Sequence, residues 1–242
     1  MKKITVLLIL LIIVSGCNPI QNGPISSQTV IDWVDFVIWD GVEYNRIYSG
    51  AISDESYIGE NMGTVQYKVA DVVRNPNYKT KDGDAAFHEI GTEIYEVKGD
   101  SELLAIKDSD IINGYSLYYP LEDDKYEYGW NFEDIPLERV KKIEIYDVAN
   151  PEDPTLTSVL EEQEELDGLI AILNISDKEQ GYEPESTDRD PSVYELVFYT
   201  DDPVAFLQMI QHDGKHYFWY PWDVALLPDE VESYIKKDES AD

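Results

Sequence analysis

The stretch DWVDFVIWDGVEYNRIYS, residues 32–49, predicts a β-hairpin and sets the β-rich character of the fold. Two runs of β-branched and aromatic side chains flank Asp40-Gly41, a dipeptide that type I′ turns prefer. A two-residue loop fixes which residues of the two strands lie opposite one another. The predicted opposite pairs are Trp39 with Val42, Val37 with Tyr44, and Asp35 with Arg46. The other side of the ribbon is predicted to carry Ile38, Phe36 and Val34.

The rest of the first half continues this pattern of short strands and turns. Further strands are predicted at residues 63–73, 92–98, 102–107 and 111–119. Turn sequences such as Asn75-Pro76-Asn77 and Asn113-Gly114 separate them. Several short strands with regular turns are typical of a small barrel or sandwich. We therefore predict an all-β domain over residues 29–130.

The second half predicts strands with one main helix. Leu166, Leu169, Ile170 and Leu173 recur at helical spacing within residues 161–174, and acidic residues fill the first turn of this predicted helix. A second hairpin is predicted around Asp213-Gly214. The predicted strands are residues 140–148, 155–160, 193–200, 204–212 and 215–220, and a short helix is predicted at 228–236. The fold class is thus mainly β with α+β, in which residues 131–242 form an antiparallel sheet with one main helix.

The amino terminus has the three parts of a bacterial export signal. Lys2 and Lys3 precede an apolar run at residues 4–14, which is shorter than the roughly 20 residues needed to span a bilayer. Small residues then lead to Cys17, the sole cysteine. A buried structural cysteine is the alternative, but this position is hard to place in a core. We predict a signal peptide at residues 1–16, followed by a lipidated cysteine and a Pro/Gly/Ser-rich tether at 17–28.

Val14-Ser15-Gly16-Cys17 resembles the lipobox of bacterial membrane lipoproteins. This resemblance implies diacylglyceryl modification of the Cys17 thiol, with palmitate among the acyl chains of the anchor. It also implies cleavage before Cys17 and a location on the outer face of the cytoplasmic membrane. The chain is also similar to uncharacterised two-domain lipoproteins of Gram-positive bacteria. The segments that carry this second resemblance are residues 83–87, 91–99 and 217–222. Neither resemblance implies an activity.

Composition restricts the partners. The 242-residue chain has 50 acidic and 18 basic residues and a net charge of −32, so we exclude nucleic acid and anionic lipid headgroups as ligands of a basic patch. Eighteen tyrosines and five tryptophans argue against extensive disorder. Most of the negative charge is expected to serve solubility, and cation capture or a basic partner is the functional alternative.

Three catalytic or metal-binding patterns are weak in this sequence. His212 and His216 are four residues apart, but a two-residue turn at Asp213-Gly214 would point their rings to opposite faces of the ribbon. An EF-hand placed on Gly83 begins with Tyr78, which is no calcium ligand, so a turn is expected there. Carboxylate clusters occur at residues 122–124 and 188–190. The familiar hydrolase motifs are missing, and we predict no catalytic residues, no metal ligands and no cofactor.

The segment FWYPW, residues 218–222, is the strongest local candidate for a ligand contact. Alternation places Trp219 with Tyr217 on one face, and Phe218 with Tyr220 on the other. The hypothesis is that Trp219 or Trp222 is exposed and contacts a sugar ring or an apolar patch. We predict a non-enzymatic binding or scaffolding module with a protein or polymer partner in the cell envelope. The alternatives are an envelope glycan hydrolase that uses paired carboxylates and a cation-binding surface protein.

Overall fold

The computed structural model describes residues 31–121, 129–176, 182–184, 190–221 and 224–235. The described residues form an eight-stranded sheet that curls on itself and a second, six-stranded sheet, so the predicted mainly β class is confirmed. The strands are β1 (Phe36–Trp39), β2 (Val42–Arg46), β3 (Gly50–Ile52), β4 (Ile58–Thr64), β5 (Tyr67–Lys68), β6 (Asp84–Ala85), β7 (Glu93–Val97), β8 (Asp100–Lys107), β9 (Tyr115–Pro120), β10 (Lys142–Asp147), β11 (Thr155–Leu160), β12 (Ser192–Tyr199), β13 (Val204–His212) and β14 (Tyr217–Tyr220).

The first hairpin has the predicted register. Trp39 lies opposite Val42 and Val37 opposite Tyr44. Asp40 and Gly41 have φ angles of 50° and 76°, the positive values that a type I′ turn requires. The predicted pair of Asp35 and Arg46 is also present, with 3.3 Å between Arg46 Nη1 and Asp35 Oδ2. Val34 departs from the prediction, because its side chain is 65% exposed while Phe36 and Ile38 are buried.

The curled sheet has the order β4-β7-β8-β9-β2-β1-β6-β5. The predicted strand at residues 63–73 is wrong over its second half, where the chain forms a short helix, α1 (Val69–Val72). Val69 and Val73 are four residues apart and bury together against Phe36 and Ile38. This packing outweighs the local preference of β-branched residues for a strand. Residues 112–114 likewise form a 3₁₀ turn before β9 begins.

The second sheet has the order β11-β10-β12-β13-β14, and β3 pairs with β13. β3 therefore comes from the first half of the chain but belongs to the second sheet, so backbone pairing connects the two halves. The division into residues 29–130 and 131–242 stays a prediction. Helix α2 (Gln163–Leu173) and the short helix α3 (Glu232–Ile235) lie near the predicted helical positions.

Helices cover only one face of the second sheet. Leu166, Leu169 and Leu173 of α2 are buried in one cluster with core residues of β10 and β12, among them Ile143 and Phe198. Gly168 allows close approach of α3, because a Cβ at this position would collide with the Tyr234 hydroxyl. The opposite face carries no α-helix among the described residues. It is buried where Val197, Tyr199 and Ala205 cluster with Ile112, and only partly buried at the candidate site.

Candidate functional site

A row of five side chains crosses the face of the second sheet that lies opposite the helices. The strand registers place Leu156 beside Tyr146, Tyr146 beside Glu195, Glu195 beside Met209, and Met209 beside Tyr220. We call these five residues the transverse row. They come from five neighbouring strands, so at about 4.8 Å per strand the row is roughly 19 Å long. Leu156 and Tyr220 at its ends are 47% and 44% exposed, and the three residues between them are partly exposed.

Glu195 is the only charged member of the row. Within the described part of the chain, its carboxylate has no hydrogen bond or close ion pair. Burial raises the pKa of Glu195 above its ordinary value, and the positive charge of Arg46 opposes this effect. An ionised carboxylate that is partly removed from water destabilises the folded state. Natural proteins commonly retain such groups where they bind a ligand.

We expect Glu195→Gln to stabilise the protein at pH 7. A raised folded-state pKa means that the native state binds more protons than the unfolded state, so this contribution to stability is lost as pH rises. The amide has no charge to desolvate, and the expected gain is of the order of 1 kcal/mol. Urea unfolding at pH 7 and at pH 4 measures the difference in the free energy of unfolding between the wild-type and Glu195→Gln proteins. The two proteins should differ at pH 7 and converge at pH 4, and equal stability at both pH values would contradict the assignment.

The neighbouring carboxylate, Glu144, has the opposite environment. It accepts hydrogen bonds from Lys142 Nζ (2.7 Å), the Tyr146 hydroxyl (2.8 Å) and the Tyr199 hydroxyl (2.5 Å). Burial alone would raise the pKa of Glu144, but these three bonds outweigh it and hold the pKa below its ordinary value. Lys142 also lies 4.0 Å from the centre of the Tyr199 ring. Glu144 is therefore an anchored, structural carboxylate.

The fold places two glutamates on the same face of adjacent strands, which bears on the predicted carboxylate pair of a glycan hydrolase. On the adjacent strands β10 and β12, Glu144 lies opposite Val197 and Glu195 lies opposite Tyr146. The pKa values of the two glutamates shift in opposite directions, although the Glu195 shift comes from burial and Arg46 and not from Glu144. However, the oxygens of Glu144 already accept three hydrogen bonds, so this carboxylate is poorly placed to act as a nucleophile or to activate water. The arrangement favours binding over hydrolysis.

A second polar cluster is formed by Asp35, Arg46, His88 and Tyr118 in the curled sheet. The Tyr118 hydroxyl donates to Asp35 Oδ1 (2.9 Å) and lies 2.7 Å from His88 Nε2. Because the single proton of Tyr118 goes to the carboxylate, His88 Nε2 must carry the hydrogen that it donates to the Tyr118 oxygen. Arg46 completes the cluster at Asp35. Each of the contacting atoms has a partner, so the cluster stabilises the curled sheet.

We expect His88 to make stability depend on pH below about 6.5. Burial lowers the pKa of His88, so the unfolded state takes up a proton at higher pH than the native state does. Stability is therefore lost as pH falls from the ordinary histidine range toward the folded-state pKa, with a slope of at most about 1.4 kcal/mol per pH unit. His88→Gln should remove this contribution while keeping a donor to Tyr118. Thermal unfolding of the wild-type and His88→Gln proteins between pH 5 and 8 provides the measurement. Parallel curves of melting temperature against pH would contradict the role of His88.

The structure corrects the aromatic hypothesis. Trp219 is 7% exposed and packs against Phe132, with ring centroids 5.0 Å apart, so it cannot form an exposed platform. The predicted alternation is right, because Tyr217 and Trp219 lie in the helix-covered core while Tyr220 is exposed. The exposed aromatic of this segment is therefore Tyr220. Trp222 lies outside the described residues.

The second hairpin also differs from the prediction. His212 pairs with Tyr217, which leaves a four-residue loop in place of the predicted two-residue turn. Asp213 Oδ1 accepts hydrogen bonds from the backbone N–H groups of Lys215 and His216 and widens the loop. His212 stacks on Tyr217, whereas His216 contacts Tyr182 edge-on. The described residues contain no group of three or more side chains suited to hold a metal ion.

The other predicted positions are structural or lie beyond the described ranges. Residues 82–83 form a turn, and Asp84 at the start of β6 is buried and accepts hydrogen bonds from the Tyr78 hydroxyl and the Lys81 N–H. Cys17, the tether, residues 122–124 and residues 188–189 fall outside the described residues. No helix among the described residues is long and apolar enough to cross a membrane.

Comparison of the chain with protein-family models, curated proteins and solved structures finds no match. The geometry of the chain is therefore the basis for its functional interpretation. Sequence reasoning missed the transverse row, because its members are separated by up to 74 positions and no motif connects them. The alternation within strands 140–148 and 193–200 was the available signal, since it leaves Tyr146 and Glu195 off the core face.

Proposed function

We propose that this chain is a lipid-anchored, non-catalytic binding module on the outer face of the cytoplasmic membrane. Cys17 would hold the acyl chains, and residues 18–28 would tether the folded part to the bilayer. The lipobox-like segment supports the anchor. Stable attachment requires two acyl chains, which the diacylglyceryl group of this lipoprotein class would provide.

The transverse row is the observation that carries the binding role. A face of partly exposed Leu, Met and Tyr side chains around one destabilising carboxylate fits a ligand that is mainly apolar with a central hydrogen-bond donor or cation. Tyr146 and Tyr220 offer aromatic contacts at low cost in conformational entropy. We infer that the ligand is an envelope protein or polymer that lies across the strands.

Photo-crosslinking in native membranes tests this proposal. A photoreactive amino acid at Met209, within the row, should form an adduct with an envelope component. The matched control places it at Ile90, which is 65% exposed in the turn that precedes β7 of the curled sheet. We expect adducts from position 209 alone, and fewer of them when Cys17→Ser removes the anchor. Equal adducts from both positions, or none from position 209, would argue against the row as the binding surface.

A further inference from the structure

Strand β11 forms an edge of the second sheet. Helix α3 contacts it, with Leu160 and Ile235 in one buried cluster. The sequence of β11, TLTSVL, contains no charge, proline or glycine, although 28% of the chain is charged. Within the described residues it pairs with β10 alone, and no other backbone hydrogen bond reaches residues 155–160. Leu156 and Val159 are partly exposed beside this edge. Native proteins usually protect such an edge, because it can template pairing with another chain.

The other long strand edges are protected. β4 carries Glu60 and Gly63 and has two register shifts against β7. The outer edge of β14 is covered by residues 225–227, through hydrogen bonds from Trp219 N to Ala225 O (3.0 Å) and from Leu227 N to Tyr217 O (2.8 Å). β11 has only a bulge at Thr157, which leaves residues 158–160 in regular geometry. The contrast indicates that this edge is kept open for a partner.

The charges around β11 indicate which partner fits. Glu152 and Asp153 precede the strand, and Glu161, Glu162 and Glu164 follow it, all of them exposed. An uncharged strand between two acidic segments is complementary to an extended peptide with a β-branched centre and basic ends. A second copy of this chain fits poorly, because its net charge of −32 and its own acidic flanks would repel.

We propose that β11 is the docking edge for an extended, basic-ended segment of a partner protein, which adds to the second sheet as a further strand. This inference rests on the proposed function and specifies its ligand as a polypeptide. The added strand would lie beside Leu156, the end of the transverse row, and so continue the binding surface. Main-chain hydrogen bonds would supply affinity, and the acidic flanks would set the orientation and the rate of association.

The synthetic peptide KKTVTITVKK is the probe, and EETVTITVEE is its charge-reversed control. NMR-detected amide hydrogen exchange of the folded protein should show slowed exchange at residues 155–160 with the basic peptide. Val159→Lys places a charge on the edge and should weaken binding about tenfold or more. Ile90→Lys adds the same charge at an exposed turn before β7 and should leave binding unchanged.

Three outcomes would overturn strand addition: unchanged exchange at residues 155–160, equal binding of both peptides, or full binding to the Val159→Lys protein. The proposed function is tested separately by crosslinking at Met209. If position 209 forms an adduct while the peptide leaves β11 unprotected, the binding module stands and strand addition is wrong. If neither occurs, both are wrong.

Discussion

Tyr118→Phe should lower the free energy of unfolding by about 1–3 kcal/mol, because it removes one oxygen that serves two partners. The Tyr118 hydroxyl donates to Asp35 and accepts from His88, and both Tyr118 and Asp35 are buried. Without it, the Asp35 carboxylate loses a donor that water cannot replace. Urea unfolding at pH 7 measures the change.

Tyr217→Phe is the matched control for this experiment. The Tyr217 hydroxyl is also buried, but it has no hydrogen-bond partner in the described part of the chain. Deletion of the same atom should therefore leave stability unchanged or raise it. Equal losses of unfolding free energy in the two variants would show that the Tyr118 hydroxyl contributes no more than its packing. That result would contradict the stabilising role of the cluster formed by Asp35, His88 and Tyr118.

Cys17→Ser should move nearly all of the protein from the membrane to the soluble fraction. A serine cannot accept the diacylglyceryl group, so the proposed attachment to the bilayer is lost. Detergent-phase partitioning and the intact mass of the protein would measure the result. Ser15→Ala, which keeps the cysteine and a small residue, should remain in the membrane.

The folded part should be unaffected by the loss of the anchor, because the substitution changes none of the buried core residues of the two sheets. Unfolding midpoints of the Cys17→Ser and wild-type proteins should agree. Retention of the Cys17→Ser protein in the detergent phase would contradict lipidation as the means of attachment.

Local sequence predicted those elements whose register depends on nearby residues. The Asp40-Gly41 hairpin formed as expected, because the turn dipeptide and the alternation of its strands specify the same pairing. Helix α2 likewise followed from four leucine and isoleucine positions at helical spacing. In both elements the deciding interactions lie within about 15 residues of one another.

Contacts between residues that are distant in the sequence determine the features that local sequence did not predict. The Asp213-Gly214 turn widened because Asp213 also accepts a hydrogen bond from the hydroxyl of Tyr182, a residue 31 positions earlier. Trp219 is buried because Phe132 lies over it, and no local pattern could reveal that contact. The transverse row needs four strand pairings in register, and a slip of one residue in any of them would break it.

Hydrogen exchange in native membranes tests most directly whether the second sheet binds an envelope partner. The anchored protein in its own membrane vesicles would be compared with the same protein purified in detergent. Slower exchange in the vesicles is predicted for β11 and β13, with equal rates in β4, the edge strand of the curled sheet. Equal rates in all strands, or slowing confined to β4, would contradict the account.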